Sequence, residues 1–521
     1  MRCSLGALRL SLLSKHSWRE SLLTYRQPQV LRMLFLGFSA GLPLLLIFGT
    51  LSVWLTQAGV NREIVTQFSW AALGYSFKFV WAPIVDKLPL PFLYARLGRR
   101  RSWLFLSQAS IIAAIVWMAM TDPAQHVAIM AYAAVMLGFS AATQDIAIDA
   151  YRIESQTEDY QAAMAATYIA GYRIGMIMSG FFALKMISWF GATDVYEYAV
   201  WQKIFLVMAC LMLVGVLATL MIPEPDVNRV RDTYLHSLFD YVRFLLLFVL
   251  STSVFVFSFV HLNPASLINK LLMVDGGLAG PVSEFIAQVG RLSVAVSFAI
   301  SAAYLCVSLG AVNKSMVRQT YIEPAADFFR RYKQGAIVIL LLIGFYRISD
   351  IVLGVVANVF YLNLGFTPDN IADYAKLYGL IMTILGGFVG GILSVRFGVM
   401  RILLLGAILS AATNILFIFQ AHLGNDLDFL KLVIAADNLS AGLAGAAFVA
   451  YLSSLTNISF TATQYAIFSS LMTLLPKVIG GYSGAIVNAT NYQTFFLITA
   501  LMGIPVILLI IYLIYRPPLT E

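Results

Sequence analysis

The stretch Gly138-Phe139-Ser140-Ala141-Ala142-Thr143-Gln144-Asp145-Ile146-Ala147-Ile148-Asp149-Ala150-Tyr151 decides the architecture of this chain. It closes an apolar run that begins near residue 127 and is long enough to cross a bilayer, yet it carries two aspartates. A charged side chain at the bilayer centre costs on the order of 3 kcal/mol by insertion scales, so it persists where water or a partner meets it. Asp145 and Asp149 are four apart and share one helical face, with Thr143 and Gln144 alongside. Other apolar stretches hold Lys78, Arg173, Arg347, Asp350 and Lys477. Ionisable residues of both signs, spread over many helices, predict a polar pathway through a membrane.

Composition agrees. Charged residues make up 12% of the 521 residues, about half of the ~25% usual in soluble domains, and hydrophobic residues reach 60%. At ~20 apolar residues per crossing, spans are expected near 29–56, 66–85, 102–120, 127–151, 162–187, 199–222, 239–262, 291–312, 336–362, 372–395, 400–421, 429–456, 464–487 and 492–514, about fourteen in all. The net charge of +8 is no nucleic-acid footprint, because Lys and Arg fall on alternate loops: Lys87, Arg96 and Arg99 to Arg101 after the second span, then Arg229–Arg231, Arg330–Lys333, Arg396, Arg401 and Arg516. The positive-inside rule then puts both termini in the cytoplasm, which needs an even number of spans.

Residues 1–28 read as a basic cytoplasmic tail lying against anionic lipid. Cys3, Cys210 and Cys306 show no metal or disulfide spacing and read as small buried hydrophobes. Trp54, Trp70, Trp81 and Trp103 fall near span ends and read as interfacial anchors, with Trp70 and Tyr75 the alternatives for stacking on a ring of the transported molecule.

The spans repeat. Val53-Trp54-Leu55-Thr56-Gln57-Ala58-Gly59 corresponds to Val359-Phe360-Tyr361-Leu362-Asn363-Leu364-Gly365, and Asp149-Ala150-Tyr151 to Val449-Ala450-Tyr451. Gln161 corresponds to Gln464, and Arg173 with Gly180 to Lys477 with Gly484. Two six-span halves follow, 29–222 and 335–515, with a short tail at 516–521. Residues 223–334 form a linker holding two additional spans and, at Pro324–Lys333, an amphipathic interfacial helix. The inserted pair is apolar and is expected at the periphery.

Several words are specific: Gly37-Phe38-Ser39-Ala40-Gly41-Leu42-Pro43, Phe77-Lys78-Phe79-Val80-Trp81-Ala82-Pro83-Ile84-Val85-Asp86, Tyr346-Arg347-Ile348-Ser349-Asp350 and Ala462-Thr463-Gln464-Tyr465-Ala466. Together they resemble the bacterial muropeptide permeases of the AmpG type, within the major facilitator superfamily. The resemblance implies an all-α polytopic major facilitator fold, two six-helix halves plus the two inserted helices. It also implies proton-driven import of N-acetylglucosaminyl-1,6-anhydro-N-acetylmuramyl peptides across a bacterial inner membrane, for peptidoglycan recycling. An acetyl-CoA-like or other anionic-metabolite carrier is the alternative of the same fold. A non-transporting sensor or lipid-modifying enzyme is the alternative of another class.

Each charge then has an expected task. Arg173, Lys477, Arg347 and Lys78 supply the cations that a substrate rich in carboxylates needs, joined by Gln144, Asp145, Tyr151 and Gln464 as further substrate contacts. Asp149, Asp145 and Asp350 are the candidates for carrying a proton, with Arg173 expected near the aspartate pair. Asp86, Lys87, Arg99, Arg100, Arg101 and Arg152 are expected to latch one conformation, Arg152 pairing with Asp86. Arg347 and Asp350, three apart, could simply satisfy each other. Gly171, Gly175, Gly180, Gly480, Gly481 and Gly484 permit close helix packing or hinge motion. The five histidines are scattered, and no zinc spacing, nucleophile elbow, phosphate loop or nucleotide-binding domain occurs. No catalytic residue, cofactor, metal or ATPase partner is expected; the substrate, protons and lipid are, for a monomer.

Overall fold

The computed structural model describes residues 17–68, 71, 73–190, 196–226, 238–261, 279–367 and 370–516, and among these all regular structure is helical. Among the described residues, twelve helices are long and apolar enough to cross a membrane. The chain divides by contacts into two compact units: residues 1–227, 332–483 and 490–521 in the first, and 228–331 with 484–489 in the second.

In the first unit, α1 (Trp18–Leu23) precedes α2 (Pro28–Gln57). The chain then passes through the short helix Leu73–Phe77 to α3 (Ala82–Lys87). Next come α4 (Arg99–Ala119), α5 (Val127–Ser155), α6 (Glu158–Ile177) and α7 (Tyr198–Met221). A π turn at Met178–Phe182 and the helix Ala183–Trp189 continue α6. Two expected spans are absent from the twelve. The one at 66–85 is broken into short pieces. The one at 162–187 is helical throughout, but its polar residues keep it below the apolar threshold.

Small residues bring α2 and α6 together backbone to backbone. A Cβ on Gly41 would lie 1.9 Å from the Tyr172 carbonyl oxygen, and one on Gly171 would lie 1.9 Å from that of Leu34. Gly37 and Gly175 face equally tight contacts, so this is a small-xxx-small seam. Pro43 lies inside α2 and removes a backbone donor, and the helix widens into a π turn at Leu46–Thr50. The neighbouring helix widens at the same level, where the Thr50 hydroxyl donates to the Ser179 carbonyl at 2.5 Å.

The second unit holds α8 (Leu238–His261), α9 (Ala279–Ser308) and most of α10 (Glu323–Tyr332). α8 and α9 pack together, with Arg291 donating to the Phe259 carbonyl and lying over its ring. α10 has the expected two faces: Phe328 is buried, while Arg330 and Arg331 pair with Glu323 and Asp327.

The first unit resumes with α11 (Gly335–Asn363), α12 (Ile371–Phe397), α13 (Val399–Leu423), α14 (Leu427–Ser454), α15 (Thr461–Gly480) and α16 (Tyr492–Tyr515). The tight seam of this half lies between α12 and α14: a Cβ on Gly386 or Gly442 would lie 2.1 Å from a facing carbonyl oxygen. A Cβ on Gly480 would meet the Val355 side chain at 3.2 Å and the backbone of α11 only at 3.8 Å. The close approach thus uses different helices from those the glycine pattern of the second half implied.

Three expectations are corrected. Trp54, Trp81 and Trp103 are buried rather than turned to an interface. Trp54 stacks on Trp201, Trp81 donates to Thr143 Oγ1, and Trp103 donates to the Leu88 carbonyl. Trp70 lies outside the described residues. Cys210 is exposed and Cys306 half-buried, so neither is core; Cys3 lies outside the described residues. The end of the N-terminal tail is docked on protein. Ser17 caps α1 with Glu20, Trp18 lies beneath the Arg396 guanidinium and against Phe397, and the Tyr25 hydroxyl donates to the Phe388 carbonyl at 3.2 Å.

Candidate functional site

The site starts from the break in the second span. Pro83 cannot donate a backbone hydrogen bond, and Phe77, Trp81 and the 3-10 turn Lys78–Val80 interrupt the helix before α3. Irregular backbone at membrane depth is tolerated where it is buried in protein or lines a cavity. Lys78 emerges from this break and is buried, its ammonium 3.6 Å from Asp145 and 3.4 Å from Asp149 on α5. One cation therefore bridges both carboxylates, confirming that they share a face. Lys78 neither snorkels nor adds net positive charge here. Tyr168 on α6 donates to Asp145 Oδ1 at 3.1 Å. Arg173, expected beside the pair, is directed elsewhere.

Arg152 carries this cluster to the other half. It is fully buried, 3.4 Å from Asp149 Oδ1, donates to Gln161 Oε1 at 3.0 Å and to Ser453 Oγ of α14 at 2.8 Å, and lies over the Tyr465 ring of α15. Its expected pairing with Asp86 is corrected: Arg100 meets Asp86 instead. Arg100 is buried, with Asp86 Oδ1 at 2.7 Å and Glu154 at 2.5 Å. The second oxygen of Asp86 accepts from the backbone N–H and hydroxyl of Thr463, at the first turn of α15. A carboxylate at a helix N-terminus stabilises the orphan N–H groups and dipole there.

Glu224 does the same for α4, accepting from the N–H groups of Arg100 and Arg101. Arg101 donates to the carbonyls of Thr219 and Leu220, Arg99 reaches Glu154 at 4.0 Å, and Lys87 lies over the Phe460 ring. Cross-half contacts thus gather at the end that carries the basic loops.

In the second half Arg347 lies 3.3 Å from Asp350, and Ser410 donates to the other oxygen of that carboxylate. The tip of Arg347 comes 3.9 Å from where a Cβ of Gly445 would stand, a position that Ile169 of α6 reaches from the other half. Arg173 stands one turn along α6 from Ile169, close enough to Arg347 for their charges to oppose. Its nearest polar contact is Met176 Sδ at 3.9 Å, and among the described residues no carboxylate pairs with it. Lys477 is exposed and likewise without a carboxylate partner among the described residues.

The remaining candidates brace structure. Gln144 donates to Ser39 Oγ of α2. Gln464 accepts the Asn457 N–H, as Gln161 donates to the Gln156 carbonyl, so the matched glutamines brace matching turns. Tyr151 is fully buried, with Arg32, Arg101 and Glu224 as its charged neighbours; the structure does not bring it to Arg173. Two carboxylates escaped the sequence reading. Glu154 was passed over as a span end, and its spacing from Asp149 and Arg152 was the available signal. Asp437 lies in the middle of an expected span and should have been counted with the other charges.

The sequence pattern of the Major Facilitator Superfamily matches residues 33–323. A Rickettsia conorii protein named transporter AmpG 4 is 30% identical over 489 residues, covering 94% of this chain and 97% of its own length. The anhydromuropeptide permease of Escherichia coli K12 is 29% identical over 489 residues, covering 94% and 80%. Among solved structures, the proton:xylose symporter XylE aligns with a TM-score of 0.55 at 12% identity, over 96% of this chain and 97% of that one. The E. coli fucose:proton symporter FucP aligns with 0.53 at 12%, over 93% and 97%. These two share the fold. The helical architecture, the sequence pattern and the full-length relatives agree: the chain is a membrane transporter, not an enzyme, and belongs to the AmpG type of the Major Facilitator Superfamily.

Proposed function

We propose that this transporter moves anhydromuropeptides, GlcNAc-1,6-anhydroMurNAc peptides, into the cytoplasm across a bacterial inner membrane by proton-coupled alternating access. The observation that carries this reading is Arg173, half-buried within a span and without a carboxylate partner among the described residues. A cation held there without a counter-ion is costly unless a ligand supplies one. Stem peptides bring carboxylates, and Arg173 with Arg347 offers donors from both halves; the name of the E. coli relative points the same way. Lys477 is a third cation open to such a ligand.

The coupling site in this reading is the set Lys78, Asp145 and Asp149. Asp149 exchanges a proton with the transported solution, and Arg152 passes the change in its charge to Ser453 and Tyr465. The pairs of Asp86 with Arg100 and Thr463, supported by Lys87, Arg99 and Arg101, hold the cytoplasmic end shut until substrate and proton are bound. Both termini then lie in the cytoplasm, as the loop charges require.

Uptake of radiolabelled GlcNAc-1,6-anhydroMurNAc tripeptide into proteoliposomes, with and without an imposed pH gradient, tests the reading. Accumulation only with the gradient is expected. Absence of any uptake or binding would sink the substrate assignment, and gradient-independent accumulation would sink the coupling.

A further inference from the structure

Asp437 is an intramembrane carboxylate that the function above leaves unused. It sits on α14 at one end of a polar chain. The Thr413 hydroxyl lies 3.4 Å from Asp437 Oδ1 and 3.0 Å from the Ser410 carbonyl, Ser410 donates to Asp350, and Asp350 holds Arg347 at 3.3 Å. The chain thus runs from Asp437 on α14, through α13, to the arginine that reaches the gap between the halves.

Charge balance separates this carboxylate from the others. Asp145 and Asp149 share Lys78, with Arg152 also on Asp149, and Asp350 has Arg347. Among the described residues no cation lies within 4.0 Å of Asp437. The groups within electrostatic reach are Asp350 and Arg347 of α11 and Tyr361 of the same helix.

The other packed helices add little there. α13 carries Arg401 and His422 at its ends, and α12 carries Asp373, Tyr374, Lys376 and Tyr378 in its first turns and Arg396 in its last. α6 contributes Tyr168, Tyr172 and Arg173, α15 contributes Tyr465 and Lys477, and α14 itself has Asp428 and Lys431 in its first turn. Two carboxylates, Asp437 and Asp350, therefore have one arginine within electrostatic reach, and Asp350 holds it. One negative charge is surplus in low dielectric, and a proton removes it.

We propose that Asp437 and Asp350 form a second proton site, in the C-terminal half, that sets whether Arg347 is free to take an anionic substrate. With the site unprotonated, Asp350 holds Arg347. A proton taken from solution onto the acid pair weakens that hold, and Arg347 turns with Arg173 to the substrate carboxylate. When the proton leaves on the other side, Asp350 recaptures Arg347 and the anion is released. The inference rests on the anionic-substrate reading above and adds a site to it.

The test uses the full chain, purified and reconstituted. Affinity for the labelled tripeptide is measured across neutral pH for wild type and Asp437→Asn. Wild type is expected to weaken by up to about tenfold per pH unit as pH rises, and the variant to bind with a much flatter profile, because its amide is neutral throughout. A variant with the wild-type profile overturns the proposal. Wild type that binds equally at every pH overturns it as well, while leaving the substrate assignment intact.

Infrared difference spectra over the same range need no substrate. A protonated-carboxyl component is expected to titrate in wild type and be missing from Asp437→Asn, while that of the Asp145 and Asp149 set remains; a spectrum unchanged by the substitution overturns the proposal even if no tripeptide binds. Should Asp437→Asn fail to fold, Thr413→Ala keeps the acid and removes its hydrogen-bond partner. A shifted carboxyl band then supports the site, and an unchanged one refutes it.

Discussion

Arg173 and Lys78 are both intramembrane cations, yet their surroundings predict opposite defects. Lys78 is enclosed by two carboxylates, so removing it leaves Asp145 uncompensated and Asp149 with Arg152 alone. Breaking a buried pair in this way costs roughly 3–5 kcal/mol. Lys78→Met is expected to lower the melting temperature in detergent sharply, and a further Asp145→Asn to restore part of it. Arg173 has no such partner. Arg173→Ala should fold with near wild-type stability and lose about ten- to a hundredfold in tripeptide affinity, the worth of one or two charge-assisted hydrogen bonds. Unchanged affinity would remove the basis for the substrate assignment. Asp149→Asn is expected to abolish accumulation while sparing exchange down a gradient, measured in the same vesicles. Full accumulation would move the coupling proton elsewhere.

At the scale of elements, the seam between α2 and α6 depends on glycine at its tightest backbone approaches, Gly37, Gly41, Gly171 and Gly175. A Cβ on Gly171 would stand 1.9 Å from a backbone oxygen that cannot retreat without moving α2. Gly171→Val is therefore expected to abolish monodisperse protein on size exclusion, whereas Gly49→Ala, which meets nothing within 4 Å, should leave the yield unchanged. The spans themselves were legible because apolar length is a strong signal, and the aspartate face of α5 because helical spacing is regular. The break at Lys78 was not, although Pro83 was in view. A proline near a span end also fits an unbroken helix, and only the packing of Trp81 against α5 separates the two cases. The partner of Asp86 was missed for a similar reason: Arg100 and Arg152 are equally plausible by sequence, and the fold turns Arg152 toward Ser453 instead.

For the whole molecule, function requires the two halves to part at the end where Asp86, Arg152 and Tyr25 now join them. Gly391 on α12 and Ala166 on α6 face one another there, with a Cβ on Gly391 lying 3.2 Å from that of Ala166. This is near the ~3.5–4.5 Å of a disulfide. On a Tyr25→Ala background, which clears the hydroxyl from this point, the pair Ala166→Cys and Gly391→Cys is expected to cross-link under oxidation. Uptake should stop and return with reductant. Uptake by a fully cross-linked protein would show that this end does not open. The two-half layout and its basic end were readable from repeats and loop charges. Where the end of the tail docks was not legible, because its apolar residues suit a lipid surface as well as they suit the seats of Trp18 and Tyr25 on α12.

The seating of that tail also bears on biosynthesis. Tyr25 leaves the ribosome long before its acceptor at Phe388, which lies 363 positions later. Contacts of such long separation form late, because the intervening chain must be made and threaded before they close. Docking of Tyr25 therefore timestamps the arrival of α12. A protease site engineered just before Ser17 should be cut readily in chains arrested before α12 and become resistant when α12 is in place, giving a direct clock for membrane insertion of this protein.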